Sequence, residues 1–182
     1  FFDTSEKLAL GNAKKCKNLG ELLKHSDVIT VHVDGRKNNA NLIGEPEFRK
    51  MKAGAIFLNL SRGFVVDLDS LARNIKEKKI NGAAIDVFPK EPRSNGEEFR
   101  SILRSLPNVI LTPHIAGSTE EAQRNIGEFV SQRLINYIDS GATILSVNFP
   151  ALDLTSFKKS HRLIHIHANT PGVLAKFNGI LA

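Results

Sequence analysis

The sequence predicts an α/β protein built on a parallel sheet covered on both faces, followed by the beginning of a separate module. Three observations carry this. From Asp3 to Thr112 short apolar runs alternate with amphipathic stretches. The runs are continuously apolar, the pattern of strands buried on both sides of a parallel sheet. After Pro113 the alternation gives way to one long helical stretch and then to a new strand-like segment.

In chain order, Phe1-Phe2-Asp3 reads as the end of a buried strand. Asn18-Leu19-Gly20-Glu21 supplies an N-cap residue and an acid three positions on, which opens a helix through Leu22 and Leu23. Val28–Val33 is the next strand, Pro46 to Met51 a short helix, and Ala55–Leu60 another strand. Asp67 caps a helix in which Leu68, Leu71, Ala72 and Ile75 recur at helical spacing, with Gly82 following its end. Gly82–Val87 and Val109–Leu111 complete the strands. Ser118-Thr119-Glu120-Glu121 is a capping box for the longest helix, whose apolar face is Ile126, Phe129, Val130 and Leu134 and which Gly141 closes. Phe149-Pro150 to Lys159 reads as a linker. Leu163 to His167 alternates as a strand, and Thr170-Pro171-Gly172-Val173-Leu174 turns into a further helix. Both termini read as cut: the chain starts without methionine and stops inside an apolar helical pattern.

Composition narrows the function classes. No apolar stretch approaches bilayer-spanning length, and the first residues lack a signal-peptide pattern. One cysteine, Cys16, excludes an internal disulfide framework and fits a reducing, cytoplasmic setting; it is assigned no role. The net charge of +6 comes from scattered lysines at expected helix ends and loops, not from the concentrated basic stripe of a nucleic-acid surface. No third ligand accompanies His165 and His167, which argues against zinc, and His25 and His32 carry no comparable context. Ser61 and Ser118 lack a nucleophile-elbow setting.

In an open parallel sheet ligands collect outside the carboxyl ends of the strands. The polar residues that follow the strands are Asp3, Ser61-Arg62-Gly63, Asp86 with Glu91 just beyond it, and Pro113-His114. Singly, each has a bland alternative: Asp3 and Asp86 as loop acids, Arg62 as a surface ion-pair partner, His114 as a satisfied loop residue. Together they place two acids, an arginine, a glutamate and a histidine on one edge. A carboxylate bonded to an imidazole orients the ring and raises its pKa towards neutral, which suits general acid–base work. Gly63 permits close backbone approach, and a guanidinium clamps a carboxylate with two parallel bonds. No glycine-rich phosphate loop occurs.

Three segments carry a family resemblance: Phe57-Leu58-Asn59-Leu60-Ser61-Arg62-Gly63, Gly82-Ala83-Ala84-Ile85-Asp86-Val87-Phe88-Pro89-Lys90-Glu91-Pro92 and Leu111-Thr112-Pro113-His114-Ile115-Ala116-Gly117-Ser118-Thr119. In order and spacing they resemble the signatures of D-2-hydroxyacid dehydrogenases. The resemblance implies an NAD-dependent oxidoreductase on a Rossmann-like, doubly wound sheet. By it, Arg62 holds the substrate, His114 exchanges the hydroxyl proton and Glu91 is its partner. Asp3 binds the adenosine ribose, Asp86 contacts the nicotinamide side, and Leu60, Ser61, Ile115, Ala116 and Gly117 line the cofactor cleft. Ser146 to Pro150 and His165 to Leu174 resemble the branch of that family which oxidises D-3-phosphoglycerate and enters a regulatory ACT domain. There His167 and Asn169 imply a site for L-serine as inhibitor, at an interface of a homotetramer.

The expected organisation is residues 1–117 for the later part of the nucleotide-binding domain, 118–159 for the long helix and linker, and 160–182 for the start of ACT. Lys159-Ser160 replaces a glycine pair that often acts as hinge in that branch. The phosphate loop and substrate domain are expected upstream of Phe1, so the chain by itself is expected neither to turn over substrate nor to bind NAD tightly. Rival readings are a dehydrogenase of another D-2-hydroxy acid such as lactate or glycerate, an NAD-sensing interaction protein of the same fold, and a stand-alone amino-acid sensor. The last leaves Arg62, Glu91 and His114 unexplained.

Overall fold

The computed structural model describes residues 1–4, 11–94, 96–146, 148–155 and 161–182. Lys159-Ser160, the replaced hinge pair, lies outside the described residues. The chain forms two units, Phe1–Thr119 and Glu120–Ala182.

In the first unit, four strands form a wholly parallel sheet in sequential order: β1 (Val28–Val31), β2 (Ala55–Asn59), β3 (Ile80–Ile85) and β4 (Val109–Leu111). Between them lie α1 (Leu19–His25), α2 (Glu45–Lys50) and α3 (Leu68–Lys76). Two caps operate as the sequence predicts. The Asn18 side chain accepts from the Glu21 N–H at 2.9 Å, and the Asp67 carboxylate accepts from the N–H groups of Asp69 and Ser70. At α2 the Glu47 carboxylate reaches back to the N–H of Gly44. The stop of α3 differs from expectation: Lys78, at φ 59°, makes the left-handed turn, and Gly82 lies inside β3. A β-carbon on Gly82 would come within 2.9 Å of the Asn108 carbonyl, so glycine is needed there for close backbone approach.

The core sits on one face of the sheet. Ile29, Val31, Phe57 and Ile85 point into it and meet Leu23, Phe48, Leu71 and Ile75 from the helices. Phe48 and Phe57 pack edge to face with centroids 5.3 Å apart. Each such side chain stabilises the fold by about 1.5–3 kcal/mol through burial. Val28, Ile56 and Ile110 on the opposite face are exposed. The apolar runs mark two apolar faces, of which α1, α2 and α3 cover one.

The first expected strand is absent. Phe1 and Phe2 are exposed, and the Phe1 backbone bonds with Lys14 and Cys16. Asp3 consequently follows no strand of the sheet. From β3 to β4 the chain makes an irregular excursion anchored by buried Leu103 and Leu106 and by an edge contact of Phe88 with Phe99.

The second unit holds α4 (Glu120–Ser140), ended by Gly141 at φ 73°, and α5 (Val173–Leu181). Leu163 to His167 forms no strand. A strand is held by ladder bonds to a neighbour, and no other strand is present in the described part of this unit. The rings of His165 and His167 stack instead, 5.0 Å apart, and Phe177 stacks on His165.

Candidate active site

Parallel strands all end on the same side, so the residues after β2, β3 and β4 share one edge. At the end of β2, Asn59 is fully buried. Its side-chain oxygen accepts from the N–H and the hydroxyl of Ser61, both at 3.1 Å, and its amide donates to the Arg62 carbonyl at 3.1 Å. Arg62 leaves this turn exposed, with Nη1 donating to the Ser61 carbonyl and its stem running past Gly35 in the loop after β1. Among the described residues no carboxylate pairs with it.

At the end of β3, Asp86 is 2 % exposed. One carboxylate oxygen accepts from the Thr112 hydroxyl at 2.5 Å and the Ile115 N–H at 3.1 Å, the other from the Ala116 N–H at 3.3 Å. These donors bracket His114, whose backbone sits at φ 57°. A left-handed non-glycine residue costs roughly 1–3 kcal/mol and persists where its surroundings over-determine it. Burial works against ionisation of Asp86, but the Thr112 hydroxyl, the two N–H groups and the His114 charge outweigh it and hold the carboxyl below its usual range.

Glu91 meets this loop from the β3–β4 excursion. One of its oxygens accepts from the Phe88 N–H at 2.9 Å, and the other lies 2.9 Å from His114 Nδ1. Partial burial again opposes the charge, and the His114 bond and the Phe88 N–H outweigh it, so Glu91 too is held below the usual carboxylate range. The imidazole remains 45 % exposed. The pair borders a cavity of about 500 Å³ whose lining includes Phe88, Phe99, Leu111 and Thr112.

Sequence reasoning thus foresaw Arg62, Asp86, Glu91 and His114 on one edge, and the structure brings Glu91 and His114 into contact. It does not add Asp3 as a strand-end acid. Ser61 is 6 % exposed and spends its hydroxyl on Asn59, whereas Leu60 and Ile115 present apolar side chains at 41 % and 46 % exposure. Ala116 uses its N–H on Asp86, and Gly117 lies just beyond in the exposed loop. His167 and Asn169 lie in the irregular stretch before α5, exposed, with His167 Nδ1 2.9 Å from the Ala168 carbonyl. Two residues escaped the sequence reading, Asn59 and Thr112. For Asn59 a signal existed: it is the one polar residue in the run Ala55–Leu60.

The edge has the parts for proton transfer at a carbon bearing a hydroxyl group: an oriented imidazole, an unpaired guanidinium and apolar side chains beside them. Exposed Leu60 and Ile115 suit the flat face of a nicotinamide ring, so this half of a dinucleotide cleft fits NAD. The chain carries no glycine-rich turn for a pyrophosphate.

Comparison with known proteins agrees with this geometry. The model of the D-isomer specific 2-hydroxyacid dehydrogenase NAD binding domain matches residues 2–116. A D-3-phosphoglycerate dehydrogenase of Haemophilus influenzae is 51 % identical over 180 residues, 99 % of this chain and 44 % of that protein. The Escherichia coli K12 protein of the same name is 47 % identical over 182 residues, 100 % of this chain and 44 % of its own length. This chain thus spans less than half the length of either relative. Among solved structures, a D-lactate dehydrogenase from Aquifex aeolicus complexed with NAD and lactic acid superposes with a TM-score of 0.59 at 32 % identity, covering 75 % of this chain and 45 % of that one.

Proposed function

The chain belongs to the D-isomer specific 2-hydroxyacid dehydrogenases, matching their NAD binding domain, and on that premise we propose that the full-length protein oxidises D-3-phosphoglycerate to 3-phosphohydroxypyruvate with NAD, the first step of L-serine biosynthesis. The observation that carries the reading is the 2.9 Å contact of Glu91 with His114 Nδ1, on the same sheet edge as Arg62, which has no carboxylate partner among the described residues.

In the oxidation direction His114 takes the substrate's hydroxyl proton at Nε2. Glu91, at Nδ1, holds the ring in the orientation that leaves Nε2 open and stabilises the imidazolium that forms. Arg62 receives the substrate carboxylate. NAD held beside these residues would supply the acceptor for the hydride leaving the carbon that carries the hydroxyl. Leu60, Ser61 and Ile115 to Gly117 would line the cofactor cleft, and Asp86, on the nicotinamide side, holds the N–H groups of Ile115 and Ala116. Asp3 is the acid proposed for the adenosine ribose.

The second unit is proposed to open an ACT domain in which His167 and Asn169 receive L-serine as a feedback inhibitor, within a homotetramer. The support is the resemblance of residues 165–174 to that module. Among the described residues no helix is long and apolar enough to cross a membrane, and a cytoplasmic setting is proposed from the single cysteine.

The test is NADH oxidation by the full-length gene product with 3-phosphohydroxypyruvate, with and without millimolar L-serine, and with pyruvate as the competing substrate. Turnover suppressed by serine supports both parts of the proposal. Turnover indifferent to serine removes the regulatory part. Turnover on pyruvate alone moves the assignment to another D-2-hydroxy acid.

A further inference from the structure

We infer that Asn59 is a positioning residue for the substrate clamp, setting the direction in which Arg62 leaves the sheet; this rests on Arg62 having the role proposed above. Asn59 is the last residue of β2, paired with Val31 on one side and Ile85 on the other. Its side chain lies on the same face as Ala55 and Phe57, which is the covered face, and it is 0 % exposed. A buried amide without partners costs several kcal/mol, so an apolar residue would be the economical choice for packing alone.

The partners explain its presence. Of the four hydrogen-bonding valences of the side-chain amide, three go to residues two and three places on: the Ser61 N–H, the Ser61 hydroxyl and the Arg62 carbonyl. Separately, the Asn59 backbone carbonyl accepts from the Asp86 N–H at 3.1 Å. Asn59 therefore joins the loop that carries Arg62 to the strand end that carries Asp86. Among the described residues, the Arg62 side chain is steadied by a bond to the Ser61 carbonyl and by its stem near Gly35. Its aim is inherited from the turn, and the turn is held from below by one buried side chain.

The experiment is a double-mutant cycle between Asn59→Ala and Arg62→Ala in the full-length gene product, with KM and kcat for the 2-oxo acid and NADH affinity by fluorescence. Asn59→Ala should lower kcat/KM roughly 100-fold, mainly through KM, because a displacement of about 1 Å in a positioning group costs that much. NADH affinity should stay within about twofold. In the Arg62→Ala background the same substitution should cost little further. Asn59→Asp keeps the shape and both bonds from Ser61 but turns an oxygen against the Arg62 carbonyl, and should show the same KM-weighted loss. Equal losses in both backgrounds, or a parallel fall in NADH affinity, would overturn the inference. So would failure of both Asn59 variants to fold, which would make the side chain a folding determinant. An inactive wild-type protein would instead sink the function on which the inference rests.

Discussion

A β-carbon on Gly63 would stand 1.9 Å from the carbonyl carbon of Phe88 and 2.2 Å from its oxygen. The loop that carries Arg62 and the loop that leads to Glu91 thus touch backbone to backbone, and only glycine allows it. Since the Phe88 N–H also holds the Glu91 carboxylate, this contact sets the spacing between Arg62 and the Glu91–His114 pair. Gly63→Ala should destabilise the first unit by at least about 1–3 kcal/mol, the usual cost of overpacking. Urea denaturation of the variant against wild type measures it, and an unchanged midpoint would refute the contact.

Proton transfer predicts a graded series. His114→Ala should lower kcat by about 10²–10⁴-fold, the range a positioned acid–base group contributes. Glu91→Gln keeps the shape and removes the charge, so its loss should be smaller than that of His114→Ala. The double variant should be no worse than His114→Ala alone, because Glu91 acts through the ring. Steady-state kinetics on the full-length gene product decide this, and additive losses would show that the two act independently.

Asp86 predicts an acid limb in stability. Its carboxyl is held below the ordinary value of 3.8 despite burial, through Thr112 and the N–H groups of Ile115 and Ala116. A depressed folded value means that the stabilisation is fully present above about pH 4 and is lost as pH falls through the folded value. Asp86→Asn should therefore melt below wild type at pH 7, with the gap narrowing below pH 4. Melting curves from pH 7 to pH 2 test the sign, and a constant gap would contradict it.

The cap of α3 offers a milder test. Asp67 accepts from Asp69 and Ser70 N–H groups and from the Ser70 hydroxyl, and the Ser70 hydroxyl is the main cause of its lowered pKa. Asp67→Ala should cost about 1 kcal/mol, the usual worth of such a cap. Asp67→Asn should recover most of it, as measured by thermal melting at pH 7.

What the sequence revealed divides along local and non-local physics. Asn18 and Asp67 were legible as caps because a cap is made with the residue's own next turn. The strands of the sheet were legible to within two residues, since each is an apolar run. Glu91 and His114 lie 23 residues apart, and their meeting was readable only after parallel topology placed both at one edge. Three features were not legible. Leu163 to His167 has the alternation of a strand, but alternation does not supply a neighbour to pair with. Lys78 ends α3 in a conformation that the sequence assigned to glycine. The direction of Asn59 was hidden because an apolar run does not show which of its members faces which side.

The register of β2 against β3, with Asn59 opposite Ile85, carries a consequence for how such a chain can vary through evolution. Side chains alternate along a strand, so one residue inserted or deleted between Ala55 and Asn59 would turn the buried amide to the other face and advance Arg62 by one place. Ser94 and Glu97, exposed in the excursion, have no strand register to keep among the described residues. Length changes are therefore better tolerated in the excursion than in the strand, although both are only a few residues from the same sheet edge.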